Sequence, residues 1–237
     1  MSISTREETG FGRYVLPYMK SNMYLRIEGD SALLLDPHPS AEALGFLQEA
    51  GVSHLSILLT HEHFDHTCGV NFFRHHFVDM RVYAHAETAA WIRKPRNNRP
   101  LALLKMITEE NREAVLQEYR SYPIEPILVD ELLSDGETLS WHGHRIFVRY
   151  VPGHSPGSVL FRFGQRDVFS GDYMIPDTAV ILRYPGGSVQ AYQEETLPIL
   201  LDLPNECQIF PGHGVPYPRG AATYSAGAFC VDGSGRL

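Results

Sequence analysis

The sequence predicts a single α/β domain of layered architecture, and three observations carry that expectation. Short apolar runs of β type alternate with helical stretches along the chain. Four strand ends deliver a histidine or an aspartate. The 237 residues, 43% hydrophobic and 20% charged, suit one large domain with a substantial core.

Taken in order, Asn22 to Glu28 and Ser31 to Leu35 read as a hairpin turning at Gly29-Asp30. Asp36, before Pro37, ends the second strand. Ala41 to Ala50, rich in Ala, Leu and Glu, reads as a helix stopped by Gly51. Ser53 to Thr60 is an apolar strand, and Val70 to Phe77 a helix that buries Phe72, Phe73 and Phe77. Arg81 to Ala84 follows as a short strand and Ala86 to Ile92 as a short helix. Between Arg93 and Pro126 the pattern turns irregular: Pro95, Asn97, Asn98 and Pro100 break any element before a charged helical segment over Thr108 to Tyr119. Residues 93–126 therefore read as an insertion or lid, and Arg93, Lys94, Arg96, Arg99 and Lys105 there offer cations to an anionic group of a substrate.

Ile127 to Val129 and Leu139 to Trp141 are strand-like and flank Asp135-Gly136, and Arg145 to Val151 alternates as a strand. It runs into Pro152-Gly153-His154-Ser155-Pro156-Gly157, where glycines let the backbone turn sharply and push the imidazole outward. Ser158 to Phe163 and Asp167 to Ser170 are further strands, the second ending in Gly171-Asp172. Ser188 to Leu203 reads as a helix kinked at Pro198, and Cys207 to Phe210 as a last strand entering Pro211-Gly212-His213-Gly214. The tail, 216–237, is rich in Gly, Ala, Pro and Ser and has no assigned role.

A net charge of −8 argues against nucleic-acid binding through a broadly basic surface. No apolar run is long enough to span a bilayer, and Met1 to Thr9 lacks the layout of a signal peptide, so a cytoplasmic protein without a membrane partner is expected. Cys68, Cys207 and Cys230 stand in no metal or disulfide spacing, which fits a reducing compartment.

The densest chemistry is Thr60-His61-Glu62-His63-Phe64-Asp65-His66, directly after an apolar strand. Neutral imidazole and carboxylate together suit zinc, manganese or iron, and a site left partly open to water generates a hydroxide near neutral pH. Alternation at the strand end aims His61 and His63 the same way, while Asp65 and His66 follow on the turn into a helix, displaced by a few ångströms. One short run can thus feed two metal ions.

His61, His63, Asp65 and His66, then His154, Asp172 and His213, resemble in order and strand-end context the metallo-β-lactamase superfamily over about Asn22 to Val215. Asp36 matches the aspartate that this family carries after an early strand. The resemblance implies a four-layer αββα sandwich, two mixed sheets with helices outside. It makes His61, His63 and His154 the ligands of one metal and Asp65, His66 and His213 those of another, with Asp172 bridging. Two divalent ions are implied, zinc first, with iron and manganese open. The shared hydroxide would attack an electrophilic carbon or phosphorus, and Asp65 would shuttle a proton.

Within the family, the two-zinc β-lactamases have a cysteine ligand where Asp172 stands. The Pro-Gly-His-Ser-Pro-Gly and Ser-Gly-Asp segments are most similar to the glyoxalase II type of hydrolase and to the lactonases near it. The expected reaction is therefore hydrolysis of a small ester-like substrate, thioester or lactone, with Tyr173 as a further catalytic group reaching the substrate carbonyl. Two alternatives are a persulfide dioxygenase with a single iron and a phosphodiesterase or nuclease. Oligomeric state is left open.

Overall fold

A computed structural model describes residues 10–99, 112–113, 115–117, 122–221 and 229–230. The chain gathers into two compact units, the first drawn from 1–59, 63–83 and 89–131 and the second from 60–62, 84–88 and 132–237. One crossing between them falls inside the histidine-rich run, between Glu62 and His63.

The first unit is built on a mixed sheet of β1 (Gly12–Val15), β2 (Asn22–Glu28), β3 (Ser31–Leu35), β4 (His54–Leu58), β5 (Asp79–His85) and β6 (Glu131–Leu133), in that spatial order. β1, β2 and β3 pair antiparallel, and β3, β4 and β5 parallel. Parallel pairing requires a crossover, and helices supply it. α1 (Ala41–Glu49) joins β3 to β4; Ser40 caps it by accepting from the Ala43 N–H at 3.1 Å, and Gly51, at φ 72°, ends it. β3 is buried along its whole length, as a central strand covered on both faces must be, and its run Ser-Ala-Leu-Leu-Leu reads accordingly.

α2 (Phe64–Thr67) and α3 (Val70–Arg74) link β4 to β5, and α4 (Ala86–Ile92) follows β5. The expected helix Val70 to Phe77 is shorter, ending at Arg74. The break between α2 and α3 sits at Gly69, where a Cβ would lie 2.6 Å from the backbone of Pro37 and of His38. The Gly69 N–H bonds the Pro37 carbonyl at 2.8 Å, so this glycine docks the helix pair against the end of β3.

Ile127 to Val129 is not a strand. Ile127 N–H bonds Ile92 O at the end of α4, and pairing alongside β5 begins only where Asp130 N–H reaches Val82 O; β6 follows at Glu131–Leu133. Before it, Pro95–Asn97 forms a 3₁₀ turn, and Asn98 bonds Ile92 O at 2.6 Å and Glu125 O at 2.7 Å. Arg93, Lys94, Arg96 and Arg99 are exposed, while Lys105 and most of the segment Thr108 to Tyr119 lie outside the described residues.

The second unit carries β7 (Thr138–Trp141), β8 (His144–Tyr150), β9 (Val159–Phe163), β10 (Asp167–Gly171), β12 (Gln208–Pro211) and β13 (Tyr217–Pro218), in the spatial order β13-β12-β10-β9-β8-β7. β11 (Val180–Ile181) and β14 (Phe229–Cys230) form a separate parallel pair. β7 and β8 are joined by His142-Gly143, both at positive φ (44° and 79°), the requirement of a type I′ hairpin.

The expected helix Ser188 to Leu203 is a composite: α5 (Val189–Ala191), a π-helical turn over Tyr192–Thr196, and α6 (Leu197–Asp202). The widened turn falls just before Pro198, which lacks an N–H and would crowd the carbonyl four residues back in a regular helix. This helical stretch packs Tyr192, Leu197 and Leu200 with Leu160, Val168 and Ile209 of the sheet. No helix of the described residues is long and apolar enough to cross a membrane.

Candidate metal centre

In the second unit, donor atoms gather where β8, β10 and β12 end. His61 follows the strand β4, and its Nδ1 lies 3.0 Å from Thr60 Oγ1. His154 follows β8, and its Nδ1 donates to the Ile181 carbonyl at 2.7 Å. Asp172 follows β10 and His213 follows β12. The His154 Nε2 lies 3.2 Å and the His61 Nε2 4.0 Å from Asp172 Oδ2, and the His213 Nε2 lies 3.4 Å from Asp172 Oδ1.

Two features of β10 aim Asp172. The register against β12 shifts between Phe169 and Gly171, a bulge that turns the strand end. Gly171 sits at φ 54°, and a Cβ there would come within 2.8 Å of Thr60 Oγ1. Gly153, at φ 131° before His154, has no room for a Cβ against Tyr192.

In the first unit, Asp65 and His66 occupy the first turn of α2, and His63 is its extended N-cap residue, at ψ 146°. The His66 Nδ1 lies 3.1 Å from Asp36 Oδ2, and its Nε2 lies 3.4 Å from Asp65 Oδ2. Asp36 holds a left-handed backbone, φ 51°, at the end of β3, and its N–H bonds Leu58 O. Ser21 donates to the Asp65 carbonyl at 3.1 Å and ties α2 to the start of β2. His38 is buried beside this set, and burial pushes its imidazole below the usual histidine range.

The tautomers these contacts select fit a cation. A carbonyl can only accept, so His154 carries its proton on Nδ1; Asp36 imposes the same on His66. Each ring then presents a bare Nε2 lone pair to a carboxylate oxygen 3.2 to 3.4 Å away. Two facing acceptors repel unless a positive charge lies between them, and orienting the ligand ring through its other nitrogen is how metal-binding histidines are held. Ligand atoms of His61, His154 and Asp172 lie within 4.8 Å of one another, as do those of Asp65 and His66.

A search of family models matches the metallo-beta-lactamase superfamily to residues 17–213. The chain belongs to that superfamily. Its fold class is the αββα class of these proteins, as likeness to solved members bears out. The metallo-beta-lactamase BLEG-1, of B3 type, is 26% identical, with a TM-score of 0.65 over 89% of this chain and 94% of that one. TTHA1623, solved in a di-iron form, is 31% identical, with a TM-score of 0.64 over 88% and 94%. The probable metallo-hydrolase YqgX of Bacillus subtilis is 27% identical over 83% of this chain and 86% of its own. The acyl-coenzyme A thioesterase MBLAC2 of Gallus gallus is 29% identical over 69% of this chain and 58% of its own.

Against this superfamily pattern one expected catalytic group is corrected. Tyr173 is buried, and its hydroxyl donates to Val151 O at 2.7 Å and accepts from the His154 N–H at 2.8 Å, with its ring stacked on Tyr192. The residue after Asp172 points back into the core, because Tyr173 N–H closes a tight turn onto Ser170 O. Its hydroxyl is engaged by the backbone of Val151 and His154.

One residue of the run escaped sequence reasoning. Glu62 alternates with His61 and so faces the other way, into a buried network: its Oε2 accepts from Thr88 Oγ1 at 3.2 Å and Ser155 Oγ at 3.0 Å, and Ser155 meets Ser158 at 2.8 Å. Burial raises its carboxyl above the usual range, which donors from its own backbone, Ser155 and Thr88 oppose. Gly157 completes the packing, since a Cβ there would lie 2.1 Å from Thr88 Oγ1.

Proposed function

We propose that the chain is a dinuclear metal-dependent hydrolase of small ester-like substrates, a thioester first and a lactone second. The observation that carries the reading is the pair of selected tautomers, His154 on Ile181 and His66 on Asp36, each leaving an Nε2 toward a carboxylate. His61, His63 and His154 would hold one ion, Asp65, His66 and His213 the other, with Asp172 shared. Zinc suits this all-nitrogen-and-oxygen set, and so does iron, the metal of the related TTHA1623 structure.

The ions, when bound, supply an ionised water as nucleophile and a Lewis acid for the substrate's carbonyl oxygen. The protein's part is geometric and protic. Asp36 and the Ile181 carbonyl lock the two imidazoles so that no reorganisation is needed on binding. Asp65, at the N-terminus of α2, would take a proton from the attacking water and pass it to the leaving group. A thiolate leaves readily and needs little of that help, which favours a thioester. The similarity to an acyl-coenzyme A thioesterase points the same way.

A panel of acyl-coenzyme A thioesters, glutathione thioesters, lactones and a phosphodiester tests the reading. Thioester turnover should exceed phosphodiester turnover by at least about a hundredfold, a difference of roughly 3 kcal/mol in barrier. Asp172→Ala should abolish it together with metal retention. Full turnover by that variant, or a preference for the phosphodiester, would overturn the proposal.

A further inference from the structure

The second sheet carries a feature the metal centre does not use. Register places Phe147 of β8 opposite Arg162 of β9, Arg162 opposite Val168 of β10, and Val168 opposite Ile209 of β12, so these residues share one face. Arg145, two residues before Phe147, lies on the same face. The helical stretch from Tyr192 to Leu200 packs with Val168 and Ile209, toward the β12 end of that face. The β8 side opens instead into a concavity of about 960 Å³, whose lining includes His144, Arg145, Phe147, Arg162, Arg166 and Glu206.

The arginines there are organised. The Arg145 and Arg162 guanidiniums lie over the Phe147 ring, 4.9 and 4.7 Å from its centroid. Cation–π attraction to the ring holds each guanidinium there and leaves N–H donors for an oxyanion. Arg166 is oriented by its Nε donating to Glu206 O at 3.2 Å. Among the described residues neither Arg145 nor Arg162 has a carboxylate partner, in a chain whose net charge is −8. Among the described residues Glu206 is the one carboxylate that lines the concavity. Gathering three like charges around a single carboxylate costs energy, and a bound polyanion would remove the cost.

We propose that this concavity binds a small polyphosphate anion, either free pyrophosphate or the phosphate chain of a nucleotide, at a site separate from the metal centre. β8 enters from His144 at the concavity and leaves toward His154; β10 enters beside Arg166 and leaves at Asp172. The two sites therefore lie at opposite ends of the same strands, about 20 Å apart at a rise near 3.3 Å per residue. The three guanidiniums match an anion of three or four charges better than a single carboxylate.

Calorimetric titration of the metal-loaded protein with pyrophosphate, ATP and sulfate at low ionic strength tests this. Saturable binding of pyrophosphate, weaker for sulfate, is expected, and Arg145→Ala/Arg162→Ala should weaken it at least about tenfold, the loss of one charged hydrogen bond or more. Thioester hydrolysis by that variant should be unchanged. ATP binding as tightly as pyrophosphate assigns the phosphate chain alone, and tighter ATP binding assigns a nucleotide. Because phosphates also bind metal ions, the titration is repeated with Asp172→Ala: persistence of the heat supports the site, and its disappearance places the anion at the metal centre and overturns the proposal. Equal affinity in the double-arginine variant, or a short oligonucleotide binding more tightly than ATP, would overturn it too.

Discussion

At Glu62 strand alternation turns a carboxylate away from the side that His61 faces, into contact with Ser155 and Thr88. Glu62→Ala would leave Thr88 Oγ1 on the Gly157 carbonyl and Ser155 Oγ on Ser158 Oγ but remove the acceptor that couples the His61 segment to the loop bearing His154. Chelator competition should then show metal affinity reduced about ten- to a hundredfold, the usual cost of losing an outer partner of a metal site. Glu62→Gln, whose carbonyl still accepts, should recover most of it; wild-type affinity in the alanine variant would contradict the role. The ligand candidates were legible in the sequence because His and Asp announce their own chemistry at strand ends. Glu62's partners were not, since Thr88 and Ser155 stand 26 and 93 residues away and no local pattern encodes either contact. Tyr173 misled for a related reason: adjacency to Asp172 in sequence says nothing of direction once a tight turn intervenes.

Among the elements, the α2–α3 junction is where a single methyl group decides geometry. Gly69→Ala would put a Cβ within 2.6 Å of backbone that cannot move aside, at the point where α2 is docked on the end of β3. The variant should lose about 1–3 kcal/mol of stability by urea unfolding, the range for overpacking. Unchanged stability would mean that the helix pair is free to shift. Helices and central strands were readable because their periodicity and stops are local: Ala86 to Ile92 matches residue for residue, and Gly51 ends α1. Three features were not. β1 is only four half-buried residues without alternation; β6 falls after the apolar Ile127 to Val129 because α4 takes the first backbone bond; and the bulge that turns Asp172 arises from pairing with β12, some forty residues on.

Over the molecule as a whole, two units each hold part of a donor set, and the chain passes between them inside one seven-residue run. The αββα class was implied by the family resemblance that the strand-end ligands carry, whereas the division into units depends on long-range pairing that no stretch of sequence displays. The proposed chemistry needs both donor sets filled at once. Elemental analysis of protein purified without added metal, read as ions per chain, tests that most directly. About two zinc or iron ions per chain, with both lost in Asp172→Ala, is the expected result. A single iron per chain, accompanied by oxygen uptake with a persulfide, would contradict the dinuclear hydrolase and assign the centre to mononuclear oxygenation instead.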